Sequence, residues 1–179
     1  MKKFLPTLIA ATALVTLPSA TAEGWYADGG YTLLSSDVDA GGVSADIDLG
    51  AISGRVGYDL NQTFGFEGEV AIGVDDEDFS DGVTDASVGL NYLVGAYGKA
   101  QLPVTDQFNV FARAGVVNAE LEAEVTGIGS DSDSETGAGF GVGGTFDVTP
   151  TMYVRGDYTR YDIEDYEADA LTVAVGVKF

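Results

Sequence analysis

Apolar residues recur at every second position along most of this chain. No run of them after residue 22 is long enough to cross a bilayer as a helix. Residues 171–179, LTVAVGVKF, show the pattern at its plainest: Leu171, Val173, Val175, Val177 and Phe179 are apolar, and the residues between them are small or polar. Period two is the signature of a strand with two different faces. Phe64, Phe66, Gly68, Val70, Ile72 and Val74 share one face of another such segment. Val88, Leu90, Tyr92 and Val94 share a face of a third, Phe108, Val110, Ala112, Ala114 and Val116 of a fourth, and Ala138, Phe140, Val142, Gly144, Phe146 and Val148 of a fifth. The pattern predicts eight strands, at 24–34, 47–58, 63–74, 87–102, 107–118, 136–148, 151–161 and 169–179. In the second, Ile47 and Leu49 are out of phase with Ile52, Val56 and Tyr58, which a β-bulge would repair.

The connections alternate as well. Those at Asp59–Gln62, Pro103–Asp106 and Thr149–Pro150 are short, whereas those at 35–46, 75–86, 119–135 and 162–168 are longer. Such regularity predicts an up-and-down meander with two unlike ends. Around the long connections lie twenty of the 29 acidic residues, with no Lys or Arg among them. One end is therefore strongly negative.

In hydrocarbon every peptide N–H and C=O must be paired within the protein, so a sheet spans a membrane only as a closed barrel. The expected fold is all-β: a closed, up-and-down, antiparallel transmembrane barrel of eight strands, with short periplasmic turns and longer acidic extracellular loops. The final strand closes it against 24–34. Tyr58, Phe64, Phe108, Phe146 and Phe179 share outward parity beside the short connections, where they would form a periplasmic aromatic girdle.

The N-terminus reads as a signal peptide cleaved after Ala22: Lys2 and Lys3, an apolar run from Phe4 to Leu17, then Ala20-Thr21-Ala22. Residues 23–179 would form the barrel domain. The chain has no Cys and no His, which removes disulfides, thiolate metal sites, Ser-His-Asp hydrolysis and His-bound zinc. With a formal charge of −21, nucleic acid is not an expected partner.

The stretches GRVGYDLNQTFGFEGEV (54–70) and AYGKAQLPVTDQFNVFARAGV (96–116) resemble the small eight-stranded outer-membrane barrels, the family of the outer membrane protein A transmembrane domain and its X-type relatives. That resemblance implies an integral outer-membrane protein with both termini in the periplasm. It implies that the terminal strand ending in Phe179 is read by the barrel-assembly machinery. The peptidoglycan-binding domain of longer relatives is not expected after Phe179. The acid that such barrels can carry in strand six aligns with Thr145, so their full ion-pair switch is not an expectation here.

Parity sends Arg55, Lys99, Arg113 and Arg155 inward, with Glu67, Glu69 and Asp157 at similar heights. The interior of an eight-stranded barrel is just wide enough for side chains to fill, and charges inside must be paired. A lumenal ion-pair network follows, with Lys99 and Arg55 flanking Glu67 and Glu69. A glycosidase would need a substrate-sized cleft between its carboxylates, which a filled barrel lacks. Arg160 has outward parity near the acidic end, where it would meet a lipopolysaccharide phosphate or snorkel to the interface. The runs DDED (75–78) and DSDSETG (131–137) lack EF-hand spacing, so no metal site and no cofactor are expected. The functional expectation is a non-enzymatic, monomeric structural and surface-interaction protein, in contact with outer-membrane lipid and lipopolysaccharide and with an extracellular ligand of its loops. The alternative is a narrow, cation-preferring channel.

Overall fold

Val, Ile, Tyr, Phe and Thr at alternate positions suit a pleated sheet with one apolar face. The computed structural model describes residues 24–40, 43–75, 77–80, 85–125, 129–163 and 166–179; the expected signal peptide lies outside them. These residues form β1 (Trp25–Ala40), β2 (Val43–Asp59), β3 (Phe64–Asp75), β4 (Glu77–Ser80), β5 (Asp85–Pro103), β6 (Phe108–Val125), β7 (Gly129–Asp147), β8 (Met152–Ile163) and β9 (Tyr166–Lys178). Both β3 and β4 pair with β5, so the short β4 prolongs the β3 position of the wall. Neighbours pair antiparallel in chain order, and β9 returns to β1 from Tyr26↔Lys178 to Ser35↔Asp169. The result is a closed barrel of eight strands.

Alternation sorts the two faces as lipid requires. Phe66, Ile72, Val116, Val142 and Val173 point out and are exposed, while Arg55, Thr159 and Thr172 point in and are buried. Above the middle of the lumen, toward the long connections, Leu34, Leu49, Leu90, Leu93, Val117 and Tyr161 form an apolar cluster.

Three sequence expectations change. The bulge proposed for β2 is absent: β1 and β2 pair without a register shift, and Leu49 is an inward member of the apolar cluster. The bulges lie instead at Val74 of β3 and Asn91 of β5, each skipped by the ladder. The second flips the phase of its strand, so Leu90, expected outside, is 5% exposed. Third, strand pairing continues through most of 35–46 and 119–135, as from Asp37↔Asp46 to Ala40↔Val43 and to Val125↔Gly129. In 119–125 Ala119, Leu121, Ala123 and Val125 alternate with three glutamates, so the strand pattern continues; the density of acids makes the segment read as a loop.

The lumen closes around rings laid on glycines. A Cβ at Gly57 would collide with the Tyr26 ring, and one at Gly176 with the Tyr153 ring. Neither ring swings away cheaply, because the Tyr26 hydroxyl donates to Glu67 at 2.8 Å and that of Tyr153 to Asp28 at 2.9 Å. Gly57→Ala and Gly176→Ala should each cost about 1–3 kcal/mol of stability by overpacking. Gly156→Ala, where nothing lies within 4 Å of the added carbon, should be near neutral. Urea unfolding of the detergent-refolded barrel checks this; equal losses at all three positions would refute the ring-on-glycine account.

Candidate functional site

The middle of the lumen is a belt of charge. Arg55, Lys99, Arg113 and Arg155 are buried there with Asp28, Glu67, Glu69 and Asp157. Taking an ion out of water costs several kcal/mol unless its partners are well placed, and the belt supplies them. Asp157 accepts from Arg55 Nη1 and Arg155 Nε, both at 2.7 Å, and lies 3.4 Å from Arg113 Nη2. Glu67 is gripped by both terminal nitrogens of Arg155, and Glu69 accepts from Arg113 Nη1 at 3.0 Å. Asp28 accepts from Arg55 Nε at 2.7 Å and lies 3.6 Å from Arg155. Neutral donors complete the carboxylate shells: the Tyr26 hydroxyl on Glu67 and the Tyr153 hydroxyl on Asp28.

β7 makes room for this. Its inner face carries Gly139, Gly141 and Gly143, and a Cβ on each would strike Tyr97, Arg113 and Phe111 respectively. The guanidinium of Arg113 then stacks on Tyr97, and that of Arg155 on Phe111, at 4.4 and 4.2 Å from the ring centroids.

Lys99 sits differently from the sequence expectation. It does not flank Glu67 or Glu69: its ammonium is 2.9 Å from Asp59 Oδ1 and 4.1 Å above the Tyr26 ring. The register explains this, since Lys99 lies opposite Gly65, the partner of Asp59, one step nearer the short turns. Glu67 and Glu69 are already engaged by arginines. Lys178, not singled out by parity, bonds Asp147 at 2.6 Å beside the same mouth. That mouth is a polar hollow of about 330 Å³ whose lining includes Lys99, Tyr153 and Lys178. Asp28 was the main residue missed; its parity, opposite to Trp25, Tyr31 and Leu33, was the available signal.

On the outer wall, Phe64, Phe108, Phe146 and Phe179 are exposed at the short-turn end. The Tyr58 ring there lies 5.1 Å from that of Trp25. Arg160 faces out and is half-exposed; it pairs with Glu167 and lies 3.9 Å from Asp169. Among the described residues no group of three acids is disposed to hold a metal ion. Most side chains of 75–78 and 131–137 lie outside the description.

An antiparallel sheet closed on itself, apolar outside and charged within, defines an integral membrane β-barrel. The chain belongs to the family described as outer membrane protein beta-barrel domain, which it matches over residues 7–179, and is an integral protein of the bacterial outer membrane. Comparison with curated protein sequences gives no match. Among solved structures it resembles Neisserial surface protein A, with a TM-score of 0.67 at 15% identity over 88% of this chain and 98% of that one. It resembles Ail, the attachment invasion locus protein of Yersinia pestis, in complex with the heparin analogue sucrose octasulfate: TM-score 0.61, 19% identity, 88% and 99% covered. The N-terminal barrel domain of Pseudomonas aeruginosa OprF gives 0.58 at 13% identity, with 88% and 98% covered. These likenesses speak for the fold.

The belt predicts unequal costs. Asp157→Asn weakens the shared partner of three buried arginines and should destabilise by about 3–5 kcal/mol. Lys99→Met, whose partner Asp59 keeps a side chain 28% exposed, should cost about 1 kcal/mol. Chemical denaturation in micelles measures both; a Lys99 variant as damaged as the Asp157 variant would contradict the layering.

Proposed function

We propose that this protein is a non-enzymatic structural and surface-interaction barrel. Its lumen is plugged, its termini are periplasmic, and its long acidic connections are held at the cell surface. The observation that carries this reading is the sequence of two barriers along the lumen. The belt of paired charge fills the middle, and the apolar cluster of Leu34, Leu49, Leu90 and Leu93 follows it. An apolar constriction resists wetting even where ion pairs separate. The lumenal residues Arg55, Glu67, Glu69, Lys99, Arg113, Arg155 and Asp157 then fix register, and the aromatics at the short-turn end act as an interfacial girdle.

The surface role follows from charge. The twenty acids around the long connections, met there by Arg160 on Glu167 and Asp169, repel polyanions and favour cationic partners or contacts bridged by divalent ions. Ail was solved with a sulfated sugar analogue; a ligand of that sign does not suit this end. A lipopolysaccharide phosphate would reach Arg160 only in competition with Glu167. A monomer, assembled through a terminal strand ending in Phe179, completes the proposal.

A second reading, the narrow cation-preferring channel, draws on Arg55 Nη2, Arg113 Nε and the Tyr97 hydroxyl, buried polar atoms without a hydrogen-bond partner. Such atoms accommodate water. Single-channel recording of the refolded protein, with insertion verified independently, separates the two. A silent bilayer is expected. Discrete cation-selective steps that change in Glu67→Gln would replace the plug with a pore.

A further inference from the structure

The three short turns are one device used three times. Asn61 Oδ1 accepts from the N–H groups of Thr63 and Phe64 at 2.8 and 2.9 Å. Thr105 Oγ1 accepts from those of Gln107 and Phe108 at 3.2 and 3.0 Å, and Thr149 Oγ1 from those of Thr151 and Met152 at 3.3 and 2.9 Å. The preceding residue donates its N–H across the turn each time: Leu60 to Phe64, Val104 to Phe108 and Val148 to Met152, at 2.8–2.9 Å. The shared pattern is apolar, then Asn or Thr, two further residues, then apolar. Its polar side chain satisfies backbone donors from within the turn, so these need no water.

The two apolar ends are then left outside. Leu60, Val104 and Val148 are 54%, 59% and 58% exposed, beside the exposed Phe64, Phe108 and Met152. They keep the outward parity of their strands past the last ladder pair, and Leu60 shares an outer-wall hollow with Phe64 and Phe66. A turn projecting into water gains nothing from an aliphatic apex. The three lie between β2 and β3, β5 and β6, and β7 and β8, and the gap at β9 and β1 is filled by Trp25 and Phe179, joined by a backbone bond of 2.9 Å. Apolar groups thus encircle the mouth and continue the lipid-facing wall, whereas a docked protein would need them gathered on one side.

We propose that the short turns are lipid anchors. Leu60, Val104 and Val148 insert into the headgroup–acyl boundary of the leaflet on their side and set the depth of the barrel. The proposal rests on the membrane-spanning wall and is independent of whether the lumen conducts.

The chain contains no Cys and one Trp, which makes the test direct. Leu60→Cys, Val104→Cys and Val148→Cys carry an environment-sensitive fluorophore in the barrel refolded into phosphatidylethanolamine–phosphatidylglycerol vesicles. Val173→Cys reports the middle of the wall, and Gln62→Cys and Asp106→Cys report the polar positions of the turns. The three apices should be quenched by a shallow lipid-borne quencher and Val173 by a deep one, with positions 62 and 106 open to aqueous iodide. Apices quenched by iodide like position 62, with Val173 still in lipid, would overturn the anchor and leave the barrel standing. Iodide access at Val173 would instead refute the transmembrane wall. Apices shielded from both quenchers would mean that protein covers them, which also overturns the proposal. A label-free check uses Leu60→Asp/Val104→Asp/Val148→Asp in the folded barrel. Trp25 emission should shift to the red as that end rises from the lipid, and an unchanged spectrum would count against anchoring.

Discussion

A peptide group inside hydrocarbon has no water to bond to, and each unpaired one costs several kcal/mol. Closure of the sheet answers that cost along the wall, through the return of β9 to β1 over ten residue pairs from Tyr26↔Lys178 to Ser35↔Asp169. Everything else follows from closing. Once the sheet is a tube, one face of every strand meets lipid and the other a narrow interior. The same alternation that a soluble sheet turns toward a core is here turned outward. Phe66, Ile72 and Val173 lie on the surface for the reason that Leu and Val lie inside a soluble domain.

The interior inherits the polar half of the pattern, and with it a packing problem. Four cations and four carboxylates share a space that barely fits side chains. Glycine on the inner face of β7 and at Gly57 and Gly176 is the solution, because arginine stems and tyrosine rings occupy the volume that Cβ atoms would take. The charges are buried but not alone: Tyr97 and Phe111 lie flat against two guanidiniums, and Tyr26 is both a face for Lys99 and a hydroxyl donor to Glu67.

How far the sequence reveals this depends on which force writes the pattern. Lipid-facing positions are legible because each needs an apolar residue in strict period two, and the sorting of Arg55, Glu67, Glu69, Arg113, Arg155 and Asp157 to the other face follows from the same count. Leu90 was misplaced because a single skipped residue, Asn91, reverses parity without any mark in composition. The strand extensions beyond 34 and 118 escaped notice because their acids read as loop, although Ala119, Leu121, Ala123 and Val125 keep period two. Pairing inside the lumen was the least legible. Parity says that Lys99 points in, but only the register, set by turns and bulges, brings it to Asp59.

The belt also gives the barrel a mechanical grain. Its charges come from β1, β2, β3, β5, β6 and β8, whereas β7 and β9 contribute none to it. The two strands that flank β8 are joined to it by their backbone ladders, with no belt ion pair riveted across either seam. Asp157 and Arg155 of β8 instead reach across the lumen to Arg55 on β2, Arg113 on β6 and Glu67 on β3, so the belt braces the wall from within, as spokes do. A load on the wall would part the backbone hydrogen bonds of a seam one pair at a time, while the spokes still held the opposite sides together.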